Sequence, residues 1–310
     1  MRRNGISTTR IAEICGVSQG TVDRALNNRK GISSKTKEKI LAVAKEYGYR
    51  PNIHARCIAG GKSMLIGVVV FDLNNQYFSD IVTSIQRHSS LKNYATVIMF
   101  TDKERRKEIE CINRLYHMSV DGMVICPCGQ GEEYENYLLS LGIPIVTIGN
   151  RLNRIPYIGI DNTLSMQETV EYVLDRGYQR LIYVKPDLQE KNASAQIERL
   201  DSFYQTCKKR NTEYAVTDIL HAEDNIRPQK RNALICPTDL YAMRLMHLAK
   251  KYHAGIIGFD NVRLIEELSL PLDSVAYDID TAAKRIVGYI VEGISVFTPV
   301  RYQLVKRGSV

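Results

Sequence analysis

The sequence predicts a small all-α headpiece followed by a larger α/β domain with doubly wound parallel sheets. Two short amphipathic helical patterns flank a glycine turn between Thr8 and Asn27. From Met64 onward, nine apolar runs of strand length alternate with helical patterns, which is typical of doubly wound sheets. The excess of basic residues is confined to the first 62 residues. The two regions therefore differ in both secondary structure and charge.

The pattern between Thr8 and Asn27 predicts a helix-turn-helix. Gly16 permits the positive φ of a tight turn, and the Ser18 hydroxyl is placed to cap the second helix. The apolar residues on the facing sides of the helices are Ile11, Ala12, Cys15, Val22, Ala25 and Leu26. The outer face of the second helix carries Gln19, Gly20, Thr21, Asp23, Arg24 and Asn27. Most of these groups are of the kind that reads base edges in the major groove, although two helices packed within a larger α domain would also fit the pattern.

The charge distribution favours a phosphate-binding headpiece. Residues 1–62 contain 13 lysine and arginine residues against 4 acidic ones, a net charge of +9. The remaining residues contain 29 basic and 30 acidic side chains, so they are close to neutral. A solvated lysine-rich face is the alternative, but it does not explain why the basic residues are confined to one segment. The asymmetry is typical of a small DNA-binding module joined to a domain with another task.

A third helix is predicted from Ser33 to about Tyr47, followed by the exit Tyr49-Arg50-Pro51-Asn52. Residues 11–56 read IAEICGVSQGTVDRALNNRKGISSKTKEKILAVAKEYGYRPNIHAR. This segment resembles the headpiece of the LacI/GalR (lactose-repressor) family of bacterial transcription regulators. The resemblance runs through the turn at Gly16, the Thr-Val-x-Arg pattern of the second helix, the Ser-x-x-Thr start of the third helix and the Tyr-x-Pro-Asn exit. It extends more loosely through the rest of the chain.

The resemblance implies contacts with operator DNA. Arg24 is expected to contact a guanine, Gln19 a second base and Thr21 a phosphate. Residues 51–63 are expected to form a hinge helix in which Ile58 takes the place of the family's leucine wedge in the minor groove, with a plain interdomain linker as the alternative. The expected DNA-binding residues are Thr8, Ser18, Gln19, Gly20, Thr21, Arg24, Asn27, Ser33, Asn52, Ala55, Arg56 and Ile58.

The larger domain is expected at residues 64–310, after the headpiece at 1–50 and the hinge at 51–63. The continuous apolar run Leu65–Phe71 indicates a strand that is covered on both faces. The other predicted strands are Thr96–Phe100, Gly122–Cys126, Ile143–Ile148, Tyr157–Ile160, Leu181–Val184, Ala233–Cys236, Gly255–Phe259 and Ser274–Tyr277. The resemblance implies a periplasmic-binding-protein-like domain. Its first lobe is expected at about 64–160 and 278–310, and its second lobe at about 161–277.

A ligand is expected beyond the carboxyl ends of these strands, where open α/β sheets bind ligands. This placement selects Asp72, Tyr77, Phe78, Arg151 and Thr238. Tyr77 and Phe78 could instead be core aromatics at the start of a helix. Cys126 and Cys128, which follow the third strand, either contact the ligand or pack at the strand end.

The resemblance adds three ligand-binding candidates to this set. Arg199 lies in ERLDSF, Asp260 in GIIGFD, and Asp161 at the expected crossover between the lobes. A guanidinium opposite a carboxylate can bracket a polyhydroxylated ligand, because one group donates hydrogen bonds and the other accepts them. A structural ion pair between Arg199 and Asp260 is the alternative.

Several sequence patterns of enzymes and metal sites fail in their context. Gly16-Val17-Ser18-Gln19-Gly20 has the spacing of a nucleophile elbow, but no predicted strand precedes it. Gly61-Lys62-Ser63 lacks the first glycine of a phosphate-binding loop. The seven cysteines include no CxxC pair, so neither a zinc ribbon nor a thioredoxin-like site is indicated. We therefore expect neither an enzyme, nor a cofactor, nor a metal site.

The sequence thus predicts a DNA-binding transcription regulator, a repressor whose operator affinity is controlled by a small ligand. The expected effector is a sugar or sugar phosphate, and the residues are compatible with either an inducer or a corepressor. No apolar run reaches about 18 residues and no signal segment begins the sequence, so a cytoplasmic homodimer on a pseudo-palindromic operator is expected. A cytoplasmic sugar-binding protein and a doubly wound enzyme are the competing classes.

Overall fold

A computed structural model describes residues 6–26, 28–49, 61–186, 193–295 and 297–310. Contacts divide the chain between Ser63 and Met64 into two compact units. Within the described ranges, the smaller unit contains helices alone, and the larger unit contains ten strands and eight α-helices. These observations confirm the predicted fold class, an all-α helix-turn-helix headpiece with an α/β domain built on parallel sheets.

The headpiece consists of α1 (Thr8–Cys15), α2 (Gln19–Leu26) and α3 (Ser34–Glu46). Ser7 caps α1 and Ser33 caps α3, each accepting a hydrogen bond from the main-chain amide three residues later. Gly16 ends α1 with a φ of +68°, as the predicted turn requires. All three helices contribute to one apolar core, which consists of Ile11, Ala12, Cys15, Val22, Ala25, Ile40 and Ala44.

The first lobe of the larger unit is built on a four-stranded parallel sheet with the order β2-β1-β3-β4. Its strands are β1 (Leu65–Val70), β2 (Ala95–Phe100), β3 (Gly122–Ile125) and β4 (Ile145–Thr147). The helices of this lobe are α4 (Gln76–Leu91), α5 (Arg105–His117) and α6 (Glu132–Ser140). Apolar clusters cover both faces of the sheet, which is why the interior strand β1 is apolar throughout.

The second lobe contains a six-stranded sheet with the order β10-β9-β8-β7-β5-β6. Its strands are β5 (Arg180–Val184), β6 (Glu213–Thr217), β7 (Asn232–Ile235), β8 (Gly255–Asp260), β9 (Asp273–Tyr277) and β10 (Tyr302–Val305). One face is covered by α7 (Asn162–Asp175) and α8 (Ser194–Lys209), and the other by α9 (Asp239–Tyr252) and α10 (Arg263–Glu267). A 3-10 turn spans Glu223–Asn225. Between β9 and β10, α11 (Ile279–Glu292) packs into the core of the first lobe.

The structure corrects three of the sequence expectations for this unit. Tyr157–Ile160 is not a strand, because it contributes only a single bridge between Tyr157 and Thr147. The edge strands β6 and β10 were not predicted, and β10 pairs antiparallel with β9. The sequence analysis assigns residues 278–310 to the first lobe, but β10 belongs to the sheet of the second lobe. The chain therefore crosses between the lobes a third time, after α11.

A buried carboxylate holds the C-terminal tail. Asp273 accepts hydrogen bonds from the amides of residues 307–309 at 2.5, 2.8 and 3.2 Å. Tyr172 donates its hydroxyl to the same carboxylate at 2.6 Å. Arg307 also donates to the side-chain oxygen of Asn261 at 2.9 Å, next to the end of β8. The end of the chain is thus tied to the strand ends that carry the predicted ligand residue Asp260.

Candidate nucleic-acid interface and interlobe cavity

The exposed face of α2 carries the predicted DNA contacts of the headpiece. Gln19, Gly20 and Arg24 are exposed, whereas the opposite face of the helix is buried in the headpiece core. The helix begins directly after Ser18, whose Oγ accepts a hydrogen bond from the Thr21 amide at 3.2 Å. One side of α2 therefore presents hydrogen-bonding groups to solvent, as readout of the major groove requires.

Hydrogen bonds within the headpiece restrict several of these polar side chains. Gln19 Nε2 donates to Thr8 Oγ1 at 3.0 Å, which ties the start of α2 to the start of α1. The hydroxyls of Ser18 and Thr21 share a hydrogen bond of 2.9 Å. The Ser33 hydroxyl is occupied as the cap of α3. Side chains ordered in this way lose less rotamer freedom when they bind a partner.

The remaining predicted DNA-binding residues cannot be located in the fold. They lie outside the described residues and are Asn27, Asn52, Ala55, Arg56 and Ile58.

A cavity of about 320 Å³ lies between the two lobes of the larger unit and is called here the interlobe cavity. It is lined by residues that follow or end β1, β3, β8 and β9, at the edge where parallel sheets bind ligands. Its volume is in the range of small-molecule sites. Six predicted ligand-binding residues line it, namely Asp72, Tyr77, Phe78, Arg199, Thr238 and Asp260.

Arg199 is held rigidly in the wall of the interlobe cavity. The side chain is buried, and its guanidinium lies 4.3 Å from the centroid of the Phe259 ring. Nε donates to Asn162 Oδ1 at 3.0 Å. Nη1 donates to the Pro237 carbonyl oxygen at 3.2 Å, and Nη2 donates to the Tyr277 hydroxyl at 2.8 Å. Because three acceptors and a ring fix its position, the guanidinium is oriented before any ligand arrives.

Asp260 ends β8 with a φ of +103°, a conformation that residues other than glycine rarely adopt. Its Oδ2 accepts a hydrogen bond from Asn75 Nδ2 of the first lobe at 3.2 Å. Burial raises the pKa of this carboxyl to about 6, while Arg199 and the hydrogen bonds from Asn75 and Tyr277 oppose the rise. The carboxylate is therefore ionised at neutral pH and can accept hydrogen bonds from a ligand.

The buried Asp239, at the start of α9, fixes the turn that follows Asp260. Its two oxygens accept hydrogen bonds from the Ser274 hydroxyl at 2.6 Å and the Val262 amide at 2.9 Å. The Asn261 amide in turn donates to Ser274 Oγ at 3.0 Å. Burial, followed by the charge of Asp260, raises the pKa of Asp239 to about 8. The strained end of β8 is thus held by side chains behind the cavity wall.

Tyrosine and phenylalanine rings form much of the cavity wall. Tyr77 packs edge-to-face against Phe78 and Tyr277, with centroid distances of 5.3 and 5.5 Å. Tyr157 and Tyr241 also line the cavity. Burial raises the pKa values of Tyr77 and Tyr277, so both keep their hydroxyl protons at neutral pH. Such rings pack against the apolar face of a sugar or a planar base and present polar hydroxyls at their edges.

Two predicted ligand-binding residues do not line the interlobe cavity. Asp161 caps α7 by accepting a hydrogen bond from a first-turn amide at 2.8 Å, and its neighbour Asn162 lines the cavity instead. Arg151 lies over the Tyr157 ring at 4.6 Å and 3.5 Å from a carboxylate oxygen of Glu198 in the second lobe. The Arg151 side chain therefore links the lobes outside the cavity.

The sequence analysis missed three residues that the fold brings to this site. Asn75, Asn162 and Tyr277 hydrogen-bond to Asp260 or Arg199. Tyr277 ends a predicted strand, so its position was a signal that could have found it. Asn75 and Asn162 are uncharged and close to the acidic residues that drew attention. Of the two cysteines, Cys126 lines the cavity.

Two further observations describe what this part of the chain lacks. Across the described ranges, no group of three or more His, Cys, Asp or Glu side chains converges as a metal ion would require. No described helix combines the length and the apolarity needed to cross a membrane. The interlobe cavity instead offers a fixed guanidinium, a carboxylate and phenolic hydroxyls, a set that suits a ligand rich in hydrogen-bonding groups.

Comparison with known families divides the chain in a similar way. Residues 9–52 match the family described as bacterial regulatory proteins, lacI family. Residues 63–235 match the family of periplasmic binding proteins and sugar binding domain of LacI family. The chain belongs to the LacI family. It is therefore a DNA-binding transcription regulator with a sugar-binding type of domain, and not an enzyme.

Individual relatives extend the LacI-family match over most of the chain. Catabolite control protein A of Staphylococcus xylosus is 26% identical over 297 residues, covering 89% of this chain and 90% of that protein. The protein of the same name from Priestia megaterium is 25% identical over 300 residues, with the same shares covered.

Solved structures show the same fold. The lac repressor dimer bound to operator and the anti-inducer ONPF gives a TM-score of 0.80 at 19% identity, covering 99% of this chain and 100% of that one. The regulator CelR in complex with cellobiose gives a TM-score of 0.65 at 20% identity, covering 98% of this chain and 100% of that one. The LacI-family architecture therefore extends over nearly the whole chain.

Proposed function

We propose that this LacI-family regulator is a repressor whose affinity for operator DNA is controlled by a sugar bound in the interlobe cavity. The observation that carries the proposal is the pairing of a fixed Arg199 guanidinium with the Asp260 carboxylate inside a tyrosine-lined cavity. A sugar hydroxyl both accepts and donates, so neighbouring hydroxyls can satisfy the two groups together. The cellobiose complex of the structural neighbour CelR supports a sugar as the ligand.

The DNA-binding face of this proposal is the exposed side of α2. Arg24 contacts a guanine, Gln19 a second base and Thr21 a phosphate. The structural neighbour that is a lac repressor dimer on its operator supports a homodimer bound to a pseudo-palindrome. Because its partner is operator DNA, we place the site of action in the cytoplasm.

The proposed division of labour follows the expected domains. Residues 1–50 read the operator, residues 51–63 form the hinge, and residues 64–310 bind the sugar and a second copy of the chain. Sugar binding changes operator affinity by as much as the sugar's affinity differs between the two states of the protein. The same linkage describes an inducer and a corepressor, which differ only in the sign of the effect.

Titration calorimetry of the full chain tests the sugar. The panel contains D-glucose, D-fructose, D-xylulose, cellobiose and D-glucose 6-phosphate. We expect at least one member to bind, and both Arg199→Ala and Asp260→Ala to weaken that binding by about tenfold or more, because each leaves a buried partner unsatisfied. Lys208→Ala, exposed on the same helix as Arg199, is the matched control and should bind like the wild type.

Filter binding to an operator selected in vitro tests the link to DNA. The sugar that binds should shift the operator titration of the wild type and leave that of Arg199→Ala unchanged at the same concentration. Binding of a sugar without any shift in operator affinity would contradict control by this cavity. Failure of the whole panel to bind would contradict the sugar itself.

A further inference from the structure

Gln196 is a polar residue of the interlobe cavity that the groups described so far do not engage. It lies in the first turn of α8 and lines the cavity together with its neighbour Ala195. Its main-chain amide donates to the Ala193 carbonyl oxygen at 3.0 Å, which fixes the backbone at this point. The side chain is therefore presented to the cavity from an ordered helical turn.

The side-chain oxygen of Gln196 is buried and has no hydrogen-bond partner among the described residues. A buried amide oxygen without a donor is uncommon, because it has given up its hydrogen bonds to water without replacing them. A donor supplied by a bound molecule would remove this penalty. The orphaned oxygen thus indicates a contact that the protein alone does not complete.

Gln196 and Arg199 lie three residues apart on α8, so their side chains share one face of the helix. Three protein acceptors engage one N–H group on each guanidinium nitrogen of Arg199, which leaves a second N–H on Nη1 and on Nη2. The helix face therefore offers the cavity an acceptor and, one turn further along, a pair of donors. Two adjacent hydroxyls of a ligand would match this arrangement.

The charges around the cavity are balanced. Among the described residues that line it, the acidic side chains are Asp72 and Asp260 and the basic ones are Lys103 and Arg199. An uncharged ligand leaves this balance intact, whereas a phosphorylated one would add negative charge beside two carboxylates. The charge count therefore favours an uncharged sugar over a sugar phosphate.

We propose that Gln196 is a specificity-determining residue of the interlobe cavity. Its Oε1 accepts a hydrogen bond from one hydroxyl of an uncharged sugar, and a neighbouring hydroxyl of that sugar accepts from Arg199. This inference rests on the proposed function, because it assumes that the cavity binds a sugar. It adds the requirement that the sugar carry a hydroxyl donor at one defined position.

The test compares wild type, Gln196→Met and Gln196→Glu in titrations of the full chain with D-glucose, D-fructose, D-xylulose, cellobiose and D-glucose 6-phosphate. The sugar that binds tightest is then replaced by its monodeoxy analogues. We expect Gln196→Met to lose about tenfold or more in affinity, because methionine has similar length and no strong acceptor. Gln196→Glu keeps an oxygen at this position and should retain the wild-type ranking of the analogues.

One deoxy analogue should reveal the partner hydroxyl. Its binding to the wild type should be about tenfold weaker than that of the parent sugar, and Gln196→Met should bind the parent and this analogue alike. Without sugar, the melting temperature of Gln196→Met should equal or exceed that of the wild type, because the substitution removes an unsatisfied group. Gln205→Met, at an exposed position of the same helix, is the control and should leave the sugar affinity unchanged.

Three outcomes would overturn this inference while leaving the proposed function intact. They are equal sugar affinities of wild type and Gln196→Met, a melting temperature several degrees lower for Gln196→Met, and tighter binding of D-glucose 6-phosphate than of every uncharged sugar. If no member of the panel binds the wild type, the proposed function itself is contradicted, and this inference fails with it.

Discussion

Arg24 is the one arginine of α2, and its side chain is exposed on the face opposite the headpiece core. We predict that Arg24→Ala weakens binding to the in vitro selected operator by about 1–3 kcal/mol and relaxes base preference at one position. A guanidinium that donates twice to guanine discriminates among base pairs, and alanine does not. Filter binding to the operator and to its single-base variants measures both effects. An equal loss on operator and scrambled DNA would instead assign Arg24 to a phosphate.

Asp260 makes a second prediction, which concerns pH. Burial raises the pKa of its carboxyl to about 6, and only the ionised carboxylate accepts hydrogen bonds from two sugar hydroxyls. Sugar affinity should therefore be constant above about pH 7 and fall by up to about tenfold for each pH unit below 6. Calorimetric titrations between pH 5 and pH 8 measure this dependence. Asp260→Asn should bind more weakly and show a flat profile, and a sloping profile for that variant would assign the titration to another group.

At the scale of elements, the contact between β8 and α9 is closely packed at Gly258. A Cβ atom added there would overlap a carboxylate oxygen of Asp239 and lie 3.0 Å from its Cα. Gly258→Ala should therefore lower the free energy of unfolding by about 1–3 kcal/mol, because strand and helix must move apart. Urea denaturation followed by circular dichroism measures the change.

Gly288 in α11 provides the matched control for this prediction. A Cβ atom there meets no atom closer than 3.8 Å, the distance to Ile294 Cδ1. Because alanine has the higher helix propensity, Gly288→Ala should raise the free energy of unfolding by up to about 1 kcal/mol. The same sign for both variants would contradict the proposed tight contact at Gly258.

The elements that the sequence analysis recovered are those with a complete burial pattern. The run Leu65–Val70 is apolar throughout because both faces of β1 are covered, and such a run is legible in one dimension. Glu213–Thr217 and Tyr302–Val305 are partly exposed edge strands with mixed composition, so no continuous run marks them. Tyr157–Ile160 has strand-like composition, but the chain leaves the sheet there to cross between the lobes.

At the scale of the whole molecule, the last four residues close the second lobe. A chain ending at Lys306 would lack the three amides that hydrogen-bond to the buried Asp273. We predict that this truncation lowers the free energy of unfolding by about 3–5 kcal/mol, because a buried carboxylate is left with few partners. Urea denaturation measures the loss. A chain ending at Ser309 keeps all three amides and should retain most of the stability; equal losses in both would contradict the role of Asp273.

The site itself could be predicted only in part, for a reason that belongs to this scale. Arg199 and Asp260 stand in short motifs, so the sequence alone identified them. Their partners Asn75, Asn162 and Tyr277 come from distant parts of the chain and meet only where the lobes face each other. Contacts of this kind depend on how the strand ends are arranged, which no local pattern encodes.

The composition of the cavity wall has an optical consequence. Tyr77, Tyr157, Tyr241 and Tyr277 surround the space proposed for the sugar, and the chain contains no tryptophan. Phenol emission is therefore not lost by energy transfer to an indole ring anywhere in the protein. A sugar that displaces water from these rings should change the ultraviolet fluorescence of the unlabelled chain, so the regulator carries its own reporter of cavity occupancy.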